Sequence, residues 1–253
     1  MSELAKLTIS GKIATLTLDR PEARNALSVD LLRAMHGRLN DLAQANGVVV
    51  LIVTGTAPAF CAGMDLKAVL DDPQAPGELL HLLADFTLRL RRVPQVSVAK
   101  VRGAAIGGGC GLACVCDLAI THADSKMGYP EVDLGVCPAV VAPWLVRKIG
   151  AGKARRVLLS GGTMTGAKAF ELGMVDALVP TKDEVDGACE AMAQRLATGG
   201  PNALAATKGL LNELDGSMDD GVVKRGAELS AKVIAMPETR AMLRTKLGSP
   251  SKG

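Results

Sequence analysis

Hydrophobic and polar residues alternate at the start of the chain. Leu7 and Ile9 precede a Ser10-Gly11 turn, and the alternation resumes over residues 14–18. A period of two is typical of strands with one buried face. The first 18 residues therefore predict a β-hairpin.

After the hairpin, helix and strand patterns follow each other in turn. Ser28 is suited to cap a helix whose apolar residues recur at helical spacing, and Asn46-Gly47 ends that helix. The unbroken apolar run over residues 48–53 is typical of a strand covered on both faces, as in a parallel sheet packed between helices. The next cycle predicts a helix over 79–92, a strand over 96–101, a helix over 111–116 and a strand over 118–121.

The C-terminal half of the chain becomes increasingly helical. Helical patterns recur over residues 141–149, 167–172 and 183–197, with a short strand over 175–179 between the last two. From Pro201 onward only helical patterns occur. We therefore predict an α/β fold with a strand-rich core over residues 1–200 and a helical C-terminal part over residues 201–253.

The composition excludes several classes of partner. The 29 basic and 26 acidic residues leave a net charge of only +3, and no aromatic residues interleave the basic clusters, so we expect no nucleic-acid surface. There is no signal-peptide pattern and no apolar run near 20 residues, so we expect a cytoplasmic protein without a membrane segment. The six cysteines lack paired C-x-x-C spacing, so we predict reduced buried thiols and no metal site.

Two glycine-bearing turns are the best candidates for chemistry. The chain has no G-x-G-x-x-G register, no P-loop and no G-x-S-x-G motif. The turns over residues 61–66 and 106–111 each lead from a strand into a helix, where unpaired N–H groups attract anions. Side by side, they would form an oxyanion hole. For either turn alone, tight packing of a helix against a strand remains the simpler explanation.

Four segments in order, residues 19–27, 59–66, 103–117 and 127–135, closely resemble the enoyl-CoA hydratase/isomerase (crotonase) superfamily. The similarity covers nearly the whole chain. It implies a spiral of ββα turns with a helical C-terminal part that helps to form a homotrimer, commonly a dimer of trimers. It also implies an acyl-CoA thioester as substrate and no metal or redox cofactor, because coenzyme A is part of the substrate.

The resemblance also implies the roles of individual residues. The N–H groups of Met64 and Gly108 would hold the thioester oxygen, and Glu131 would be the acid/base group. Without the family, Glu131 would be read as a surface carboxylate, and nearby Asp133 is expected to be structural. The CoA-binding residues implied are Arg24, Ala62, Met64, Asp65, Leu66, Lys67 and Gly108, although Arg24 matches less specifically and Lys67 is equally well explained as a solvated lysine.

The chain departs from the family at Gly111, where many hydratases carry a second glutamate in a G-G-G-x-E-L pattern. A bacterial branch of methylglutaconyl-CoA and related branched enoyl-CoA hydratases, which this chain resembles, also lacks that glutamate. Three hypotheses remain open: a 2-enoyl-CoA hydratase, a Δ3,Δ2-enoyl-CoA isomerase that uses one glutamate, and a catalytically silent acyl-CoA-binding oligomer. The sequence leaves acyl length, branching, pathway and the choice between trimer and hexamer undetermined.

Overall fold

The computed structural model describes residues 3–66, 70 and 75–248. The strands are β1 (Ala5–Ser10), β2 (Ile13–Leu18), β3 (Val50–Gly55), β4 (Val96–Val101), β5 (Ala105–Ile106), β6 (Leu118–His122), β7 (Lys126–Gly128), β8 (Thr163–Thr165) and β9 (Ala177–Val179). The helices are α1 (Val29–Gln44), α2 (Ala75–Arg92), α3 (Gly108–Val115), α4 (Ala142–Ile149), α5 (Ala151–Ser160), α6 (Gly166–Leu172), α7 (Glu184–Ala197), α8 (Pro201–Leu214), α9 (Asp220–Ala235) and α10 (Pro237–Gly248).

A six-stranded sheet in the order β1-β2-β3-β4-β6-β9 forms the centre of the fold. The predicted hairpin is confirmed, because β1 and β2 pair antiparallel with Ser10 opposite Ile13. The remaining neighbours in this sheet pair parallel. Ser28 caps α1 as predicted, since its Oγ accepts a hydrogen bond from the Leu31 N–H at 3.2 Å.

Apolar residues cover both faces of this sheet. On one face, Val50, Val98 and Ile120 pack with Cys189 and Ala193 of α7. The other face packs against α1, α2 and α3 in a larger core. Burial on both faces explains the unbroken apolar run of β3, because no position in that strand points to solvent.

A second, three-stranded sheet, in the order β5-β7-β8, carries the elements that form the site. β5 leaves the main sheet after Gly103, which has a φ of +81°. Ile106 in β5 lies opposite Gly128 in β7, and Cys61 pairs with Ala105 in an isolated bridge. These pairings bring three loops to one end of the main sheet. They are the turns over residues 61–66 and 106–111 and the loop after β7.

The structure corrects several predicted boundaries. α3 begins at Gly108 and not at residue 111, because Gly107 turns the chain with a φ of +54° and the helix starts directly after it. α2 begins at Ala75 rather than at residue 79, and α5 had been indicated only as a helix-like stretch without bounds. The C-terminal helices are present as predicted, and α9 packs along α2. The division of the chain at residue 200 stays a prediction.

Candidate active site

Backbone hydrogen bonds hold the first glycine-bearing turn in place. The Cys61 N–H donates to the Ala104 carbonyl at 3.0 Å, and the Ala62 N–H donates to the Arg24 carbonyl at 3.0 Å. Met64 lies opposite Leu27 in an isolated bridge that leaves its own N–H outside the pairing. In the part of the chain that the structure describes, the Met64 N–H has no hydrogen-bond acceptor.

The second turn ends at the N-terminus of α3. The Gly107 N–H donates to the Gly128 carbonyl at 2.8 Å, which fixes the residue that precedes the helix. Gly108 is the first helical residue, so its N–H has no acceptor within the helix. Over residues 3–66, 70 and 75–248 it has no other acceptor either. The positive end of the α3 dipole adds to the attraction of this N–H for negative charge.

Glycines let the two turns touch through their backbones. A Cβ added to Gly63, which has a φ of +91°, would lie 2.7 Å from the Ile106 carbonyl oxygen and 3.8 Å from the Gly108 nitrogen. A Cβ added to Gly109 would lie 2.7 Å from the Cys61 Cβ. Larger residues at these positions would therefore separate the two turns. The arrangement brings the Met64 and Gly108 segments together at one site.

Glu131 reaches this site from a third loop. It precedes the 3-10 turn Val132–Leu134, and its carbonyl accepts hydrogen bonds from the Leu134 and Val136 N–H groups at 3.0 and 2.8 Å. A Cβ added to Gly107 would lie 2.6 Å from Glu131 Oε1. The carboxylate therefore lies directly against the turn that carries the Gly108 N–H.

The Glu131 carboxylate is poorly solvated. The residue as a whole keeps some exposure, but its Oε2 atom is buried and has no hydrogen-bond partner among the described residues. The pKa of Glu131 is raised to about 7, mainly because the carboxyl group is buried. A hydrogen bond to the residue's own backbone lowers the pKa in part, and the negative charge of nearby Asp133 raises it. A carboxyl group with this pKa can both accept and return a proton near neutral pH.

The three loops enclose a cavity of about 70 Å³. Glu131 and the two turns form part of its wall, and the rest is apolar. The lining residues are Ala62, Gly63, Met64, Leu66, Leu80, Leu83, Ile106, Gly107, Gly108, Pro130, Glu131, Leu134, Val136, Cys137, Pro138, Val140 and Val141. The site thus combines two free N–H donors with one carboxylate in apolar surroundings.

Comparison with known proteins identifies the family of this chain. The family model described as enoyl-CoA hydratase/isomerase matches residues 8–235. The chain belongs to the enoyl-CoA hydratase/isomerase family. It is 32% identical over 214 residues to the 2,3-dehydroadipyl-CoA hydratase of Escherichia coli, covering 84% of this chain and 83% of that protein. It is 29% identical over 205 residues to the short-chain-enoyl-CoA hydratase of Clostridium acetobutylicum, covering 80% and 78%.

Solved structures of the enoyl-CoA hydratase/isomerase family share the fold. A crystal structure of an enoyl-CoA hydratase from Mycobacterium avium superimposes with a TM-score of 0.86 at 28% identity, covering 99% of this chain and 98% of that chain. The crotonase fold predicted from the sequence is therefore confirmed, and the chain is an enzyme of the enoyl-CoA hydratase/isomerase type.

The structure shows what occupies the position of the second glutamate found in many family hydratases. A Cβ added to Gly111 would lie 2.7 Å from the Val141 Cβ and even closer to its Cγ1. Val141 is 1% exposed and also lines the cavity. An isopropyl group therefore fills the space into which a side chain at residue 111 would project.

The residues that the family resemblance assigns to CoA binding lie mainly in the first turn. Ala62 and Leu66 line the cavity. Arg24 is exposed and has a φ of +53°, and its carbonyl anchors Ala62. Lys67 lies outside the described residues. A CoA contact by each of these residues stays a prediction.

Asp65 takes part in the organisation of the turn. Its Oδ2 accepts a hydrogen bond from Arg20 Nη1 at 2.8 Å, and the same Nη1 donates to the Ala26 carbonyl at 3.1 Å. Its N–H donates to the Leu27 carbonyl at 2.9 Å. Arg20 thus ties the first turn to the segment that follows β2.

Sequence reasoning gave no role to Arg20 or Val141. Arg20 belongs to a segment that carries the family resemblance, but Asp65 lies 45 residues away and no local pattern links the two. Val141 lies in an apolar stretch before α4, where its packing against Gly111 leaves no signal in the sequence. Asp133 was expected to be structural, and its Oδ2 accepts a hydrogen bond from the Gly162 N–H at 2.7 Å.

No group of three or more potential metal ligands lies together in the described parts of the chain. Of the helices that the structure describes, none combines the length and the apolar character needed to cross a membrane. All six cysteines are free thiols, and all but Cys137 are buried.

Proposed function

We propose that this enzyme adds water reversibly to a 2-enoyl-CoA thioester. The observation that carries the proposal is a buried carboxylate oxygen of Glu131 beside two backbone N–H groups, none of which has a hydrogen-bond partner among the residues that the structure describes. The names of the relatives support hydration as the reaction, since one is a short-chain-enoyl-CoA hydratase and another a 2,3-dehydroadipyl-CoA hydratase.

The Met64 and Gly108 N–H groups donate hydrogen bonds to the thioester oxygen. As water adds, negative charge moves from the double bond to this oxygen, and the two donors stabilise it. Fixed donors in a site without bulk water need no reorganisation during the reaction, and each typically contributes about a hundredfold to a thousandfold in rate. The α3 dipole adds to the effect of the Gly108 N–H.

Glu131 transfers the proton. Its carboxylate removes a proton from water while the water oxygen bonds to C3, and the C2–C3 π electrons move toward the thioester to form an enolate. The resulting carboxylic acid then protonates C2, so the net change is the addition of one water molecule. A single group with a pKa of about 7 suits both steps, because at neutral pH it can take up a proton and release it again.

No step in this scheme requires a metal or a separate cofactor, because coenzyme A is part of the substrate. The charged end of coenzyme A would leave the cavity past the first turn, which contains Asp65, is hydrogen-bonded through Ala62 to the Arg24 carbonyl, and is followed in the sequence by Lys67. A cytoplasmic location belongs to the same proposal.

Product analysis with a 2-enoyl and a 3-enoyl substrate tests the proposal. Crotonyl-CoA is expected to give 3-hydroxybutyryl-CoA. The isomerase alternative uses the same single carboxylate, which would move a proton from C2 to C4 of a 3-enoyl-CoA without adding water. Conversion of 3-enoyl-CoA together with inertness toward crotonyl-CoA would reject the hydratase in favour of the isomerase. Inertness toward both substrates, with tight binding, would indicate the silent acyl-CoA-binding protein.

We further propose that the enzyme is a homotrimer or a dimer of trimers, as the family resemblance implies. The C-terminal helices expose large apolar side chains, with Leu214 74% and Leu210 56% exposed in α8, and Leu229 49% exposed in α9. A second copy of the chain is the partner that would cover them. Light scattering after size-exclusion chromatography is expected to give three or six chains per particle, and a monomer at micromolar concentration would reject the proposal.

The double substitution Leu210→Glu and Leu214→Glu is expected to release monomers, because it places charges on a surface that must lose water on assembly. Leu159→Glu is a matched control, since Leu159 is also exposed but belongs to α5. An unchanged particle mass in the double variant would show that α8 is not part of the interface.

A further inference from the structure

Val141 is locked in position opposite Gly111. Its N–H donates to the Pro138 carbonyl at 3.2 Å, and its own carbonyl accepts from the Trp144 N–H at 3.2 Å as α4 begins. The Val141 side chain is buried, and a β-branched side chain has few rotamers available. Neither its backbone nor its side chain can move aside without disturbing the start of α4.

Gly111 is the other half of this contact. It lies inside α3 without a positive φ, so its backbone does not require glycine. In a helix, alanine is favoured over glycine by about 1 kcal/mol. The reason for glycine here is therefore the close approach of Val141, whose Cβ would lie 2.7 Å from a Cβ at residue 111.

The wall around Glu131 is apolar as a result of this packing. Val136, Val140 and Val141 line the cavity together with Leu134. Within the described residues, Glu131 is the only charged side chain of the lining. The cavity has a volume of about 70 Å³, while one water molecule needs on the order of 10–15 Å³ of such space. The cavity is therefore small, and its described lining offers no cation to pair with a second negative charge.

We infer that Val141, packed over Gly111, is the specificity-determining residue of this site and restricts it to short, uncharged acyl groups. The inference rests on the proposed function, because it places the acyl chain in the cavity that Glu131 lines. The isopropyl group takes the space of a second acid and ends the pocket close to the reacting carbons. An acyl group with a terminal carboxylate would bring a second negative charge into apolar surroundings beside Glu131, which is unfavourable without a paired cation.

The main test compares kcat/KM for crotonyl-CoA and 2-octenoyl-CoA in the wild type and in Val141→Ala. Removing two methyl groups opens the end of the pocket. One methylene group in an apolar pocket changes discrimination by roughly 10- to 200-fold, so we expect the octenoyl-to-crotonyl ratio to rise by at least about tenfold. If Val141 had a purely structural role, its substitution would lower kcat/KM for both substrates by the same factor. An unchanged octenoyl-to-crotonyl ratio in a folded variant would therefore overturn the inference.

Paired substitutions test the contact itself. Gly111→Ala is expected to lower kcat/KM for crotonyl-CoA by about tenfold or more, because the new Cβ displaces Val141. Adding Val141→Gly, which removes the Cβ as well as both Cγ atoms, should restore most of the loss. Adding Val140→Gly instead is the matched control, since Val140 is also buried in the cavity wall but is not among the nearest contacts of a Cβ at residue 111. Equal rescue by both glycines, or rescue by neither, would contradict the proposed pair.

Binding measurements separate this inference from the proposed reaction. If the wild type fails to hydrate crotonyl-CoA, the proposed function is wrong, but the affinities for butyryl-CoA and octanoyl-CoA still report the pocket. Val141→Ala should then shift the ratio of the two dissociation constants toward octanoyl-CoA. The wild type should also bind pentanoyl-CoA at least about tenfold more tightly than glutaryl-CoA, which has the same chain length and a terminal carboxylate. An unshifted ratio, or equal affinity for these two thioesters, would overturn the inference.

Discussion

Replacing Glu131 with glutamine is expected to stabilise the fold at alkaline pH while it removes activity. The Oε2 atom of Glu131 is buried and has no hydrogen-bond partner in the described part of the chain, so the charged form is disfavoured in the folded protein. Glutamine has nearly the same shape and stays neutral at all pH values. The substitution therefore removes the cost of the buried charge without leaving a cavity.

The magnitude follows from the pKa of Glu131 in the two states. Its pKa is about 7 in the folded protein, against 4.5 for an unperturbed glutamate. The difference, about 7 minus 4.5, corresponds to roughly 3 kcal/mol at 1.36 kcal/mol per pKa unit. Between these two pH values the folded state binds more protons than the unfolded state, so wild-type stability falls as the pH rises. Below pH 4.5 both states are protonated and this effect disappears.

Urea unfolding at pH 5 and pH 8.5 measures this effect. Both proteins must be compared at the same concentration, because assembly contributes to apparent stability. At pH 5, half a unit above the ordinary pKa of 4.5, we expect Glu131→Gln to be more stable than the wild type by less than about 1 kcal/mol. At pH 8.5 the variant should be more stable by about 2–3 kcal/mol. Glu213→Gln, at an exposed position in α8, is the control for loss of a surface charge. An equal difference at both pH values would refute the reasoning.

Three further outcomes follow from the same site. Gly63→Ala should reduce kcat by about a hundredfold or more, because its Cβ would push the two N–H donors apart; unchanged turnover of crotonyl-CoA would show that their spacing is not critical. Arg20→Met should lower the free energy of unfolding by about 2 kcal/mol, since it leaves the carboxylate of Asp65 without this charged partner; urea titration checks this, and a change below 0.5 kcal/mol would mean the pair is dispensable. The kcat/KM for hydration should rise with pH through about 7 as Glu131 loses its proton, and a flat profile from pH 5 to 9 would exclude it as the base.

Local patterns in the sequence predict much of the fold. The alternation before and after Gly11 predicts the β1–β2 hairpin, and the capping role of Ser28 is visible as a polar residue ahead of an apolar helical repeat. These features depend on residues that are neighbours in the chain. The short strands β5, β7 and β8 were not predicted, because two or three residues carry no measurable periodicity.

The chemistry of the site depends more on contacts that are distant in sequence. The start of α3 at Gly108 places its N–H in the first helical turn, yet the sequence pattern put that helix three residues later, because glycine-rich segments have little apolar periodicity. The packing of Val141 on Gly111 and the pairing of Arg20 with Asp65 join residues 30 and 45 positions apart. Such contacts are set by the tertiary fold, and no local propensity reveals them.

The roles proposed for Met64, Gly108 and Glu131 came from the family resemblance, and the structure adds physical observations that support the proposal. Two N–H groups without acceptors and one carboxylate oxygen without a partner, as counted over the described residues, are unfavourable in a folded protein unless water or a ligand satisfies them. Their meeting in one cavity is what links the fold to the proposed reaction.

The most direct test of the central claim is the rate at which oxygen from water enters the product. The wild type and Glu131→Gln would each be incubated with crotonyl-CoA in water labelled with oxygen-18, and the 3-hydroxybutyryl-CoA formed would be analysed by mass spectrometry. We expect one labelled oxygen per product molecule in the wild type and a rate at least about a hundredfold lower in the variant, with binding of butyryl-CoA retained. Unlabelled product, or equal rates in the two proteins, would contradict the account.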